Sequence, residues 1–283
     1  MPEDVVELEL GPYRIRVATT FGPRVLGLSR DGGPEMFASL PETVIDRPDS
    51  GVYRFRGGHR LWASPELPSI TYAPDDEPCS VTEGADEVSV VGPVDRAGLV
   101  KTMILSGGPE GIVVDHELVN AGANTIELAP WALTQLRLGG VAIVPVSGEP
   151  DEYGLSASSS LVLWPYTDLA DPRVTWDRAG LLVRAEPGPP FKVGTGPAPG
   201  RLGYLMEGHL FTKQVPAARG GPYPDRGAIG QFYLGDLFCE LESVGALVDL
   251  VPGDRVTHRE VWEIEECDDV ATAARMLMAE SHQ

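Results

Sequence analysis

Phe238-Cys239-Glu240-Leu241-Glu242-Ser243, followed by the turn Pro252-Gly253-Asp254 and by a run that ends at Trp262-Glu263, reads as two strands of a sheet. Alternate side chains of a strand go to opposite faces, so Cys239 and Leu241 can serve a core while Glu240 and Glu242 point together the other way. Two carboxylates held close repel each other. Their surroundings must then separate their pKa values or bring cations to them. The plain alternative is a solvated sheet face carrying two ordinary glutamates.

Working outward, the same strand grammar recurs along the chain. Short alternating or β-branched runs at Val5–Leu10, Tyr13–Ala18, Glu87–Val91, 112–119 and 142–146 are punctuated by 33 glycines and 26 prolines. Asp31-Gly32-Gly33 and Ser106-Gly107-Gly108 fit tight turns, where glycine accepts the positive φ that hairpins need. Residues 268–282 are the exception: Val270, Ala274, Leu277 and Met278 recur at helical spacing, and Asp268 or Asp269 can cap the first turn. With no linker, charge run or repeat dividing residues 1–283, one all-β domain, a large antiparallel sandwich with a short C-terminal helix, is the expectation. Pro-rich stretches at 186–200 and 215–226 interrupt the pattern and read as loops bordering a cleft.

The bulk properties narrow the partners. A net charge of −20, from 42 acidic and 22 basic residues, opposes nucleic acid and anionic membrane surfaces. The acidic opening Met1-Pro2-Glu3-Asp4 has no apolar run after it, so a cytoplasmic protein is expected. Cys79, Cys239 and Cys267 are odd in number and far apart, which speaks against a disulfide framework. The five histidines form no i, i+4 pair, so neither a tightly held metal nor another cofactor is expected.

Four clusters carry candidate chemistry. Gly57-Gly58-His59-Arg60-Leu61-Trp62 joins an imidazole, a guanidinium and an indole, the mixture that holds a sugar by its hydroxyls and its C–H faces; a glycine turn with a core tryptophan is the alternative. Period two groups Trp131, Leu133, Gln135 and Arg137 on one face, which could line a cavity or form the wet side of an edge strand. His209 and Lys213 form a polar cluster with Glu207, whereas His116 alternates with Val114 and Leu118 as a core histidine would. Gly194–Gly200 lacks the Gly-Lys-Ser/Thr ending of a phosphate loop, and no G-x-S-x-G elbow occurs.

Several segments in order resemble the galactose mutarotase-like superfamily, which contains the aldose 1-epimerases. They are Thr20–Leu28 with its glycine turn, Gly57–Trp62, Glu117–Gly122, and Leu241-Glu242-Ser243 with Leu250-Val251-Pro252-Gly253-Asp254. The resemblance implies a supersandwich that holds a sugar on an open concave face, with a glutamate taking the anomeric proton and a histidine protonating the ring oxygen. Carried over, the base matches Glu242 and the first site segment matches His59 or Arg60. The acid histidine would fall in the strand 131–138, where Gln135 stands, and an amide cannot donate a proton at neutral pH.

The catalytic expectation is therefore Glu242 with His59 or His209, or else Lys213, as acid, and Arg60, Trp62, Gln135, Arg137, Lys213 and Glu240 as sugar contacts. The expected partner is a small carbohydrate, and the expected state is a monomer or homodimer. A binding or regulatory protein without catalysis is the alternative. A lyase or hydrolase using Glu240 and Glu242 ranks below both, because inversion needs attack from the opposite face of the sugar.

Overall fold

The structure is a computed structural model that describes residues 4–47, 51–108, 111–146, 152–177, 180–196, 200–215 and 221–279. Two large antiparallel sheets face each other. Along its main path the first runs Val5–Leu10, Tyr13–Ala18, Val25–Arg30, Gly51–Ser64, Ile126–Leu136, Cys239–Val244, Gly230–Leu234, Phe191–Gly196 and Ser160–Leu163. Ser39–Arg47 and Val248–Leu250 pair beside that path. The second runs Val174–Asp177, Gly180–Arg184, Val141–Pro145, Gly200–Met206, His209–Val215, Arg255–Glu266, Gly111–Asn120, Leu99–Gly108, Glu87–Val91 and Ser80–Glu83.

Period-two alternation accounts for the layers. Cys239 and Leu241, with Phe232, Leu234, Phe191 and Val193 from the neighbouring strands, enter the core between the sheets, where Phe211, Trp262 and Ile264 meet them from the second sheet. The intervening residues of the first sheet are left to its other face. The helix Val270–Ala279 lies across the second sheet, burying Ala273, Ala274 and Leu277 against Ile143, Leu205 and Leu210. Asp269 is its cap, accepting from the Thr272 amide at 2.9 Å. No helix among the described residues is long and apolar enough to cross a membrane.

Two expectations need correction. Residues 186–200 are not one loop, because Phe191–Gly196 is an inner strand of the first sheet; its alternation is legible only once the flanking prolines are set aside. Gly57-Gly58 is not a turn between elements but a kink within the long strand Gly51–Ser64. Both glycines have positive φ, and a Cβ at Gly57 would stand 1.9 Å from the Ala38 carbonyl oxygen. Glycine is needed there for both backbone conformation and space.

Candidate active site

Register brings the candidate residues together in lateral rows on the outward face of the first sheet. Leu133 lies opposite Arg60 on one side and Glu242 on the other, and Gln231 follows Glu242. In the next row Gln135 lies opposite Gly58 and Glu240, and then come Tyr233 and Lys192. A third row adds Trp62 and Trp131. These rows floor a cavity of about 390 Å³, in the size range of small-molecule sites.

Two ion pairs cross the rows on diagonals, as long side chains on a sheet face can. Arg60 Nη2 donates to Glu240 Oε1 at 3.0 Å, and its guanidinium carbon lies 4.1 Å from the Trp62 ring centre. Lys192 Nζ donates to Glu242 Oε2 at 2.8 Å while lying 4.8 Å from the ring centres of both Trp131 and Trp164. Trp131 Nε1 donates to the same Glu242 oxygen at 2.8 Å. The other carboxylate oxygen of Glu242, like Nε and Nη1 of Arg60, is buried without a hydrogen-bond partner.

The two glutamates, two residues apart, end in different positions. Glu240 lines the cavity and is 6% exposed. Glu242 is 0% exposed and lies behind the cavity wall, covered by Lys192 and Trp131, which do line it. Burial pushes the Glu240 carboxyl up to about 7; Arg60 opposes this and the Glu242 charge adds to it. Tyr233, beside Glu240 in the same row, and Tyr166, which also lines the cavity, have their phenols raised by burial and then by the glutamates. Aromatic faces, two cations and a carboxyl that titrates near neutrality can grip C–H surfaces, orient hydroxyls and move protons.

The remaining expected site residues go elsewhere. His59 is one residue from Arg60 and therefore on the opposite face, buried between the sheets. There its Nε2 meets His116 Nε2 at 2.7 Å and its Nδ1 meets Thr134 Oγ1 at 2.9 Å. The His258 carbonyl can only accept, so His116 carries its proton on Nδ1, His59 carries its own on Nε2, and Thr134 donates to His59. Lys213 is also interior, with Nζ 2.9 Å from Glu260 Oε1 and donating to the Ala132 and Leu241 carbonyls and to Thr134. Arg137 leaves the ladder after Leu136 and pairs with Glu207 at 2.7 Å, so the face it was expected to share with Gln135 does not reach it. His209 stands beside Gly33 at a separate surface pocket with Arg30 and Glu265. Gln135 shares the cavity's face but is fully buried, both amide atoms without a partner, and does not line the cavity.

Among the described residues one cluster, His59, His116 and Glu260, brings metal-ligand atoms within 4.8 Å of one another. Its ring nitrogens already complete a directed chain of hydrogen bonds, and the Lys213 ammonium stands on Glu260, where a cation would be repelled. These residues do not fit a metal.

Sequence reading missed Tyr166, Tyr233 and, with the largest consequence, Lys192. The signal for Lys192 was present in the alternation Phe191-Lys192-Val193, which the surrounding prolines mask.

No protein-family model and no curated protein matches this sequence. Solved structures do. A proposed aldose 1-epimerase from Escherichia coli K12 superposes with a TM-score of 0.55 at 13% identity, covering 93% of this chain and 99% of that one. A galactose mutarotase-like protein from Lactobacillus casei gives 0.56 at 10% identity over 92% and 100%. Another such protein, from Clostridium acetobutylicum, gives 0.52 at 9% over 93% and 95%. The fold is therefore the galactose mutarotase-like β-sandwich.

Proposed function

We propose that this chain binds a free sugar on the outward face of the first sheet and interconverts its anomers by acid–base ring opening, as an aldose 1-epimerase does. The observation that carries the reading is the crossed pair of carboxyl–cation contacts, Arg60 with Glu240 and Lys192 with Glu242, set under indole rings at a cavity. Two glycan-type features meet there: aromatic faces for the apolar side of a pyranose, and charged hydrogen-bonding groups for its hydroxyls. The fold shared with an Escherichia coli protein proposed to be an aldose 1-epimerase supports the same direction.

Anomer exchange requires a proton to leave the anomeric hydroxyl and another to reach the ring oxygen, and it consumes no cofactor. General acid–base help is worth about 10²–10⁴-fold. The test is the rate at which freshly dissolved single anomers of free aldohexoses and aldopentoses equilibrate, followed by polarimetry or NMR with and without the protein. Acceleration of at least one sugar is expected. Equilibration at the buffer rate for every sugar would sink the reading.

One observation favours a second reading, a sugar-binding protein without turnover: no histidine lies among the described residues that line the cavity. Calorimetry that finds binding, with exchange no faster than background, would select it.

A further inference from the structure

We propose that Glu240 alone carries the proton in this exchange, as one bifunctional carboxyl group, with Lys192 as a hydrogen-bond donor to the sugar and Glu242 as a positioning residue. The inference rests on the anomer-exchange reading above and assigns the residue that performs it.

The geometry separates the two glutamates. Glu240 opens on the cavity, whereas Glu242 is sealed behind Lys192 and Trp131, which hold its Oε2 at 2.8 Å each. A group that exchanges protons with a sugar must come within hydrogen-bond reach of it, and of the two glutamates on this strand Glu240 is the one placed to do so; Glu66 also lines the cavity, with its Oε1 engaged by the Tyr72 hydroxyl. His59, His209 and Lys213 do not line this cavity. Arg60, donating to Oε1, fixes the plane of the Glu240 carboxyl.

The chemistry suits one carboxyl group. The anomeric hydroxyl and the ring oxygen are bonded to the same carbon, and their spacing is close to that of the two oxygens of a carboxyl. Protonated Glu240 gives its O–H proton to the ring oxygen while its other oxygen takes the proton of the anomeric hydroxyl. The bond from C1 to the ring oxygen breaks, the C1 carbonyl forms, and Glu240 ends with one proton, now on its opposite oxygen. Rotation about C1–C2 and the reverse transfer give the other anomer. The substrate class is thus a reducing aldose with its anomeric hydroxyl free; a glycoside, which lacks that proton, cannot react.

Glu242 acts through Glu240. Arg60, Lys192 and Glu242 act directly on Glu240, Glu66 and the phenols of Tyr72, Tyr166 and Tyr233 share its cavity, and Asp236 acts on Tyr233. Burial is the largest influence and raises Glu240; Arg60 and Lys192 lower it, and Glu242 raises it. Removing the Glu242 charge therefore shifts the titration of Glu240 downward.

The test uses the full chain and the aldoses that the wild type accelerates. The catalysed rate should be high below neutrality and fall as pH rises through a midpoint near the Glu240 value of about 7. E240Q should lose about 100-fold or more in rate while binding the same sugar in calorimetry, with E240D restoring part of the loss. E242Q should retain more than about a tenth of the rate and move the midpoint to lower pH. Methyl glycosides of the same sugars should bind without reacting. A wild-type rate that does not change with pH, which requires no variant to fold, would overturn the proposal. So would full activity in E240Q, or an E242Q defect as deep as that of E240Q with the midpoint unmoved. In each of those cases wild-type exchange leaves the broader reading standing, whereas absence of exchange with every sugar removes both.

Discussion

Lys192 and Glu242 form a buried contact whose partners are 50 residues apart, with side chains 6% and 0% exposed. Removing one member of such a pair leaves the other charged group without its partner in a site closed to water. That costs about 3–5 kcal/mol, whereas replacing both by apolar groups of similar size is near neutral. Lys192→Met should therefore lower the unfolding free energy by about that amount in denaturant titration, and Lys192→Met with Glu242→Leu should recover most of it. If the double variant is as unstable as the single one, Lys192 contributes through its packing between Trp131 and Trp164 instead. At this scale the shared face of Glu240 and Glu242 was legible in the six residues 238–243, because alternation is a local property. Their unequal access to the cavity was not, since it depends on a lysine from another strand.

Single elements owe their form to a few positions. The kink at Gly57-Gly58 lets Gly51–Ser64 pair with Ser39–Arg47 in its first half and with Ile126–Leu136 in its second, delivering Arg60 and Trp62 to the cavity. Gly57→Ala meets both a φ of +86° and the Ala38 carbonyl, so a destabilisation above about 2 kcal/mol is expected, with reduced sugar binding as Arg60 shifts. The readouts are a thermal melt and calorimetry, and an unchanged melt would mean the backbone relaxes freely. By contrast, Asp269→Ala removes a helix cap remote from the cavity and should cost about 1 kcal/mol with sugar binding untouched. The strands 5–10, 13–18 and 87–91 and the C-terminal helix were readable from pattern, and the inner strand Phe191–Gly196 was not. Prolines at both of its ends imitate a loop, and only pairing with Gly230–Leu234 and Ser160–Leu163 marks it as a strand.

Across the whole molecule the two sheets are joined by polar contacts as well as apolar packing. His59, Thr134 and Ser243 come from one sheet and His116, Lys213, His258 and Glu260 from the other, all buried. Ser243 bridges His258 Nε2 at 2.7 Å and Glu260, and Trp262 Nε1 adds a bond to Glu260 at 2.8 Å. Burial lowers the pKa of all three histidines, His258 to about 3, so each is neutral in the folded protein near neutrality. Burial alone would raise Glu260, but the Lys213 charge, with the Ser243 hydrogen bond, brings it below its usual value. An unfolded histidine titrates near 6.5. As pH falls below that value the unfolded chain takes up protons that the folded one refuses. Stability should thus decline as pH falls below about 6.5, by roughly 1.4 kcal/mol per pH unit for each histidine until the folded values are reached, offset in part by Glu240, whose raised carboxyl holds a proton that the unfolded chain releases. Denaturant midpoints measured across this range check the trend, and constant midpoints down to about pH 5 would mean that the network accepts charge.

The alternation along 238–243, the turn residues and the acidic balance are properties of neighbouring residues, and from them followed an all-β protein with two glutamates on one face. Where the histidines go, which glutamate opens on the cavity, and which cations meet them depend on register between strands far apart in the chain. Arg60 and Glu240 are 180 residues apart, and His59, beside Arg60, faces the core because a shift of one residue reverses the face. Local pattern carries no record of that pairing, and it was settled by packing the two sheets together.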